Sequence, residues 1–305
     1  MYNRRKFIKN SGALAFGGIL LSKTGFSIAD APVKNAGLQL FTLFGVIDQD
    51  VPGAIKKVAG AGYKEIESAF SMKGGFYGLK PKEFAALLKD NGLTWQSHHV
   101  LGTPFKMPAG AKMPNGADGK PITIPKMRNL RDDAQQLIDE VAEGGASYIV
   151  CASISHGTGD ELKEAVDILG KAGEAAKKAG LTLCYHNHES EFKEVDGKIP
   201  YDVFLSQLNG DVLKMELDLG WATHSGNNPV DIFKKNPGRF PLWHVKDIDK
   251  ESGKPTEIGT GYIDFKPIFA AASIAGMKHF FVEQDGAPKP FENIANSLAN
   301  LNKVV

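Results

Sequence analysis

Two cysteines in 305 residues are too few for a disulfide framework, so stability has to come from a buried core rather than from covalent staples. Cys151 and Cys184 each fall inside an apolar run typical of a buried strand, and both are read as free core thiols. Long hydrophobic runs are missing as well. The longest N-terminal apolar stretch, Gly12 to Leu21, is about half of the roughly 20 residues that a membrane-spanning helix needs. No Pro- or Ser-rich linker divides the chain after its N-terminus, so one large domain is expected. The first strand candidate runs into Phe41-Thr42-Leu43-Phe44-Gly45 instead of a Gly-rich turn, which removes the phosphate cradle of a doubly wound dinucleotide fold. Charge of one sign is also lacking, with 36 Lys and Arg against 35 Asp and Glu.

The basic residues that do cluster lie at the start. Asn3-Arg4-Arg5-Lys6-Phe7-Ile8-Lys9 is a basic segment with a twin arginine, followed by the short apolar stretch and by small residues at Ser27, Ala29 and Ala31. Residues 1–29 are therefore expected to be a twin-arginine export signal, residues 30–305 the mature domain, and the location periplasmic or otherwise exported. No Cys near the cleavage region offers a lipid anchor. Removing Arg4, Arg5, Lys6, Lys9 and Lys23, with no acid among those 29 residues, turns the formal +1 into −4. A mildly acidic mature chain without a basic track is a poor nucleic-acid binder. Stable membrane insertion is not expected once the signal is gone.

From Gly37 onward short apolar strands alternate with amphipathic helices. Strands are expected at 37–43, 63–67, 94–100, 147–152, 181–186, 213–218, 241–245 and 278–283. Helices are expected near 51–61, 82–91, 132–144, 160–180, 202–208, 229–235, 265–276 and 291–301. Pro81, Pro229 and Pro267 sit near first turns, and Gly62, Gly92, Gly180 and Gly276 where helices stop. Eight strand–helix units in about 275 residues is the count and length of a single (β/α)₈ TIM barrel. The connection from Leu101 to Asn129 is too long to be a mere link and is expected to cover the active-site face.

The polar residues gather at strand ends. In Leu181-Thr-Leu-Cys-Tyr-His-Asn-His-Glu-Ser-Glu191, alternation puts Cys184, His186 and His188 on one side and Leu183, Tyr185 and Asn187 on the other. Glu67, His98 and His99, Glu216 and Asp218, His244 and Lys246, and Glu283 and Asp285 close other strands. A lone Glu or His of this kind is usually a cap or a satisfied core residue. At least five strands delivering such groups to one end of a barrel point to a site, because burying that many without partners is costly. Mixed imidazole and carboxylate donors suit one divalent ion such as Mn²⁺, Zn²⁺ or Co²⁺ better than Ca²⁺.

The ordered series Gly37-Leu-Gln-Leu-Phe-Thr-Leu43, Gly62-Tyr-Lys-Glu-Ile-Glu67, Tyr185-His-Asn-His188, Leu217-Asp-Leu-Gly-Trp221, His244-Val-Lys-Asp247 and Val282-Glu-Gln-Asp285 resembles the sugar phosphate isomerase/epimerase group of xylose isomerase-like barrels. The resemblance covers essentially the whole mature chain, and implies metal ligands His186, Asp218, His244 and Glu283. His186 departs from the pattern, since the ketose 3-epimerases carry a Glu there and use it with the strand-eight Glu as an acid/base pair. Of that pair Glu283 survives here; Glu283, His186 or His188 is expected to take the proton, and Lys246, two residues beyond His244 on the same strand face, to donate to the developing oxyanion or a leaving hydroxyl. Glu67 and His99 are expected to grip hydroxyls of a small carbohydrate substrate, and Trp221 to pack on a sugar face. The activity so implied is isomerisation or epimerisation of a sugar or keto-sugar by proton abstraction beside a carbonyl, through an enediolate. The alternative is a lyase or hydratase on a 3-keto-sugar or inosose-like substrate; behind it stands an exported sugar-binding protein without chemistry. Metal-dependent phosphodiester cleavage, as in endonuclease relatives, would need a basic DNA track. An oligomer is compatible with the sequence.

Overall fold

The computed structural model describes residues 35–106, 125 and 127–305. The segment expected to be an export signal and most of the expected covering connection, residues 107–124 and 126, lie outside the described residues. Eight parallel strands close into one barrel: β1 (Gly37–Gln39), β2 (Glu65–Ser68), β3 (Thr94–Leu101), β4 (Tyr148–Ser153), β5 (Thr182–His186), β6 (Lys214–Asp218), β7 (Leu242–Val245) and β8 (His279–Val282). Each pairs with its sequence neighbours, and β1 closes the ring against β8 with Leu38 opposite Val282. Helices α1 (Val51–Ala61), α2 (Pro81–Asp90), α3 (Leu130–Gly144), α4 (Gly159–Lys178), α5 (Pro200–Gln207), α6 (Leu219–His224), α7 (Pro229–Lys235), α8 (Phe265–Ala270), α9 (Ala272–Ala275) and α10 (Pro290–Val304) follow the strands. The (β/α)₈ expectation holds. Among the described residues no helix is long and apolar enough to cross a membrane.

Local signals place the elements. Asp50, Asn129 and Thr158 cap α1, α3 and α4 by accepting from backbone N–H groups, which satisfies donors a helix leaves open. Gly62 ends α1 in a left-handed conformation at φ 109°. Two expected elements come out differently. The first strand stops at Gln39, because its side chain accepts from Phe41 N at 2.9 Å and bends Leu40–Leu43 into a 3₁₀ turn. The helix expected over 265–276 is two short ones, broken at Ala271.

The side chains facing the barrel interior form layers. The apolar layer is Val150, Cys184, Leu242 and Phe281, all fully buried. Gly37 has no side chain because a Cβ there would stand 2.4 Å from the Phe281 ring. One pleat beyond Cys184, Leu242 and Phe281 stand the polar residues His186, His244 and Glu283, which belong to the site. The outward faces, including Leu183, Tyr185, Leu217, Trp243 and Val245, pack beneath the helices in the main core. Cys151 and Cys184 are buried and free, as expected.

Candidate active site at the carboxyl ends of the strands

Strand register fixes which side chains meet. His186 lies opposite Glu216, and Asp218 opposite His244. With Glu67 on β2, His99 on β3 and Glu283 just beyond β8, they converge inside the barrel mouth. Two overlapping sets of four have all their donor atoms within 4.8 Å of one another: His186, Asp218, His244 and Glu283, and His99, His186, Glu216 and His244.

The turns after the strands are built to hold these groups. Asp218 caps α6 by accepting from Trp221 N at 2.8 Å through Oδ1, which aims Oδ2 at the ammonium of Lys246, 3.0 Å away. Gly220 lets that helix start at once, since a Cβ there would be 2.6 Å from the Lys246 carbonyl oxygen. After β5, Glu191 accepts from Tyr185 Oη at 2.8 Å and from His188 N at 2.9 Å, and this stiffens the His186–His188 segment. Asn187 accepts from Asp218 N at 3.1 Å, tying the end of β5 to β6.

His244 spans the site. Its Nδ1 lies 2.8 Å from Glu283 Oε2, while its Nε2 lies 2.5 Å from Glu67 Oε1 and 3.2 Å from Glu216 Oε2. Glu67 also accepts from Gln39 Nε2 at 2.8 Å and from Ser97 Oγ at 2.5 Å, and His99 Nε2 approaches it at 3.0 Å. Lys246 is buried among three carboxylates, 3.0 Å from Asp218, 2.9 Å from Glu283 and 2.7 Å from Asp285.

These contacts set the protonation states. Burial alone would push the Glu67 carboxyl up, but His99 and His244 outweigh it and hold the group well below the usual carboxylate range. Glu216 is raised to about 7 by burial and by the nearby charge of Glu67. His99 is raised to about 9 by Glu67 and Glu216, against the opposing effect of burial. Burial and then the neighbouring His244 drive His186 well below its ordinary value, so it stays neutral with a lone pair to donate. Lys246 stays charged: burial opposes its charge, but Asp218, Asp285 and Glu283 more than offset that. Burial would raise Glu283, yet Lys246 and His244 keep it ionised.

The residues present fit a divalent ion. His186 Nδ1 and Glu216 Oε1 are buried without a hydrogen-bond partner among the described residues, and such atoms in a packed interior call for a ligand, water or ion. A cavity of about 580 Å³ opens above them, with His99, His186, His188 and Glu283 on its wall, the size and position of a small-molecule site.

The structure brings His99, His186, Asp218, His244, Lys246 and Glu283 together and puts His188 at the cavity wall. Glu67 joins this cluster but, like Trp221, it is not on the cavity wall. Glu67 is fully buried beneath the imidazoles, and the Trp221 ring faces Lys246 at 5.2 Å, away from the cavity lining. Glu216 belongs at the centre; its spacing of two from Asp218 on one strand was the signal for it. Gln39 and Ser97 gave no signal, being ordinary polar residues until Glu67 is seen between them. His98 faces the other side of β3, where it pairs with Ser68 at 2.8 Å and packs on Phe76.

Burial and the charge of His99 push His98 down to about 3. The unfolded chain binds a proton there near pH 6.5 and the folded chain does not, so stability falls as pH drops from 6.5 towards 3. Urea midpoints of the metal-free protein should decline over that window, and a His98→Asn variant should show a shallower decline. Equal slopes would remove His98 as the cause.

A closed parallel barrel with imidazoles and carboxylates at the carboxyl ends of its strands defines a class of small-molecule enzymes with room for a metal ion. Residues 55–304 match the model of the xylose isomerase-like TIM barrel, and the chain belongs to that family. It is similar to a solved sugar phosphate isomerase/epimerase from Parabacteroides distasonis ATCC 8503, at 28% identity and TM-score 0.69, covering 91% of this chain and 96% of that one. A second sugar phosphate isomerase/epimerase of that organism is 25% identical, with TM-score 0.71 over 88% of this chain and 97% of the other. An inosose dehydratase from Lacticaseibacillus casei is 29% identical over 158 residues, 45% of this chain and 52% of that protein. The chain thus spans about half the length of the curated relatives it matches.

Proposed function

We propose that this protein is a metal-dependent enzyme that removes a proton beside the carbonyl of a sugar or keto-sugar, forms an enediolate, and completes an isomerisation or epimerisation. The observation that carries this reading is the buried array of His186, His244, Asp218, Glu283 and Lys246 beneath a cavity whose wall includes Glu283 and His188. A divalent ion bound between His186 and His244 would supply a Lewis acid to the substrate carbonyl. Glu283 takes the proton, because it stands on the cavity wall and Lys246 and His244 keep it ionised. The same neighbours make it a weak base, so the substrate C–H has to be acidified strongly for the transfer to proceed. Lys246 places a fixed positive charge 2.9 Å from that carboxylate, close to where charge develops on the substrate oxygen. His188 is placed to return a proton at the cavity wall.

Elimination of water is the second reading. It is favoured by His186, which leaves Glu283 without the second carboxylate of an epimerase pair, and by the relatives named inosose dehydratase. Incubating a panel of keto-sugars and inososes in D₂O separates the two. Deuterium gained at an otherwise unchanged formula supports isomerisation, and a product lighter by one water supports the lyase. An absence of exchange, product and metal uptake would leave a sugar-binding protein. The twin-arginine pattern of residues 1–29 supports an exported site of action, tested by whether those residues carry a folded reporter across the membrane.

A further inference from the structure

We propose that the first divalent ion binds one layer deeper in the barrel than the family resemblance implies, on His99, His186, Glu216 and His244. The proposal rests on the metal-dependent reading above and specifies where the ion sits.

Three imidazole nitrogens surround one carboxylate oxygen. Glu216 Oε2 lies 2.7 Å from His99 Nε2, 3.2 Å from His186 Nδ1 and 3.2 Å from His244 Nε2. Metal–nitrogen and metal–oxygen bonds of about 2.0–2.2 Å place neighbouring donors roughly 3 Å apart, so these separations are edges of a small coordination polyhedron. Hydrogen bonding accounts for one of these three contacts, His99 Nε2 with Glu216 Oε2. His186 Nδ1 and Glu216 Oε1 are buried and make no hydrogen bond among the described residues. They are the unpartnered pair an ion would use.

The shallower set already holds a cation. The Lys246 ammonium lies 3.0 Å from Asp218 Oδ2 and 2.9 Å from Glu283 Oε2, the carboxylates that the resemblance offers to the metal. An ion between those oxygens would meet a buried positive charge at close range, in surroundings that screen it poorly. Among the described residues no lysine forms an ion pair with Glu216, although the charge of Lys246 still acts on His186.

His244 is oriented for the deeper position. With Nε2 towards Glu216, its Nδ1 is left to donate to Glu283 at 2.8 Å. Metal-bound histidines commonly hold a carboxylate with the second ring nitrogen in this way. Glu67 Oε1, against the same face of His99 and His244, is in reach as a fifth donor. Three imidazoles with one carboxylate favour Zn²⁺, Co²⁺ or Fe²⁺ over Mg²⁺ or Ca²⁺. His99 and His186 also line the cavity, so the ion is within reach of a substrate oxygen. Asp218, Glu283 and Lys246 are then free of ligation, and of the three Glu283 stands on the cavity wall.

The test uses the metal-free mature chain titrated with Co²⁺ alone, followed by its visible absorption and by calorimetry. His99→Gln and Glu216→Gln should each weaken the first Co²⁺ by about 100-fold or more, and Asp218→Asn by less than about 3-fold. X-ray absorption of the Zn²⁺-loaded wild type should show three imidazoles around the ion, a measurement that needs no variant to fold. Two imidazoles, or loss of the first ion in Asp218→Asn but not in Glu216→Gln, would overturn the deeper position and leave the metal-dependent reading standing. Failure of the wild type to bind Co²⁺ or Zn²⁺ at all would overturn both.

Discussion

Glu283→Gln should lower kcat by about 10³-fold, within the range that a positioned general base contributes. The substitution keeps the shape of the side chain and the approach to His244, and removes the negative charge that would accept the proton in the proposed reaction. Substrate grip should suffer much less, because Glu283 forms only part of a cavity of about 580 Å³. Steady-state kinetics on the best keto-sugar, with deuterium exchange alongside, checks this. A loss below tenfold, with exchange intact, would shift the base to His188. The residual activity of a base variant should not be restored by added metal, whereas that of a ligand variant should improve as metal is raised.

Lys246→Met should be the most damaging substitution for stability. The ammonium is buried against Asp218, Glu283 and Asp285, and deleting one member of a buried ionic group strands the others. Such losses run to about 3–5 kcal/mol, which for a domain of this size lowers Tm by about 10 °C. Calorimetry of the metal-free chain measures it. A Lys246→Met/Asp218→Asn double variant should recover part of the loss, because one uncompensated charge goes with the lysine. If the two losses simply add, the pair does not interact in the way the geometry describes.

Much of the fold could be read in the sequence because the barrel repeats one signal. Apolar runs such as Leu181–Tyr185 and caps such as Gly62 recur with regular spacing, so the number of units survived errors at individual ends. The errors came from single side chains acting on the backbone. Gln39 ended a strand by accepting from Phe41 N, and nothing in an apolar run announces that. For the site, alternation on β5, β6 and β7 was enough to place His186, Asp218 and His244 on one face. Depth was harder. Trp221 and Glu67 were expected to touch substrate, but the turn that lets Asp218 cap α6 carries Trp221 off towards Lys246. Glu67 sits one layer too low to be reached. How far each residue lies from the mouth depends on register between strands distant in the chain, which local pattern does not encode.

The layer of Val150, Cys184, Leu242 and Phe281 closes the barrel on the side away from the polar groups. A floor made of those four side chains has nothing to bind water or sugar with, and it is packed too tightly to pass either. Among the described residues the cavity therefore opens at the polar end of the barrel and is shut at the other. A converted molecule has to leave by the doorway through which the next one arrives, and the two compete for the same threshold. Inhibition of this enzyme by its own product should accordingly be competitive with substrate, and net turnover should depend on how quickly the surroundings carry the product away.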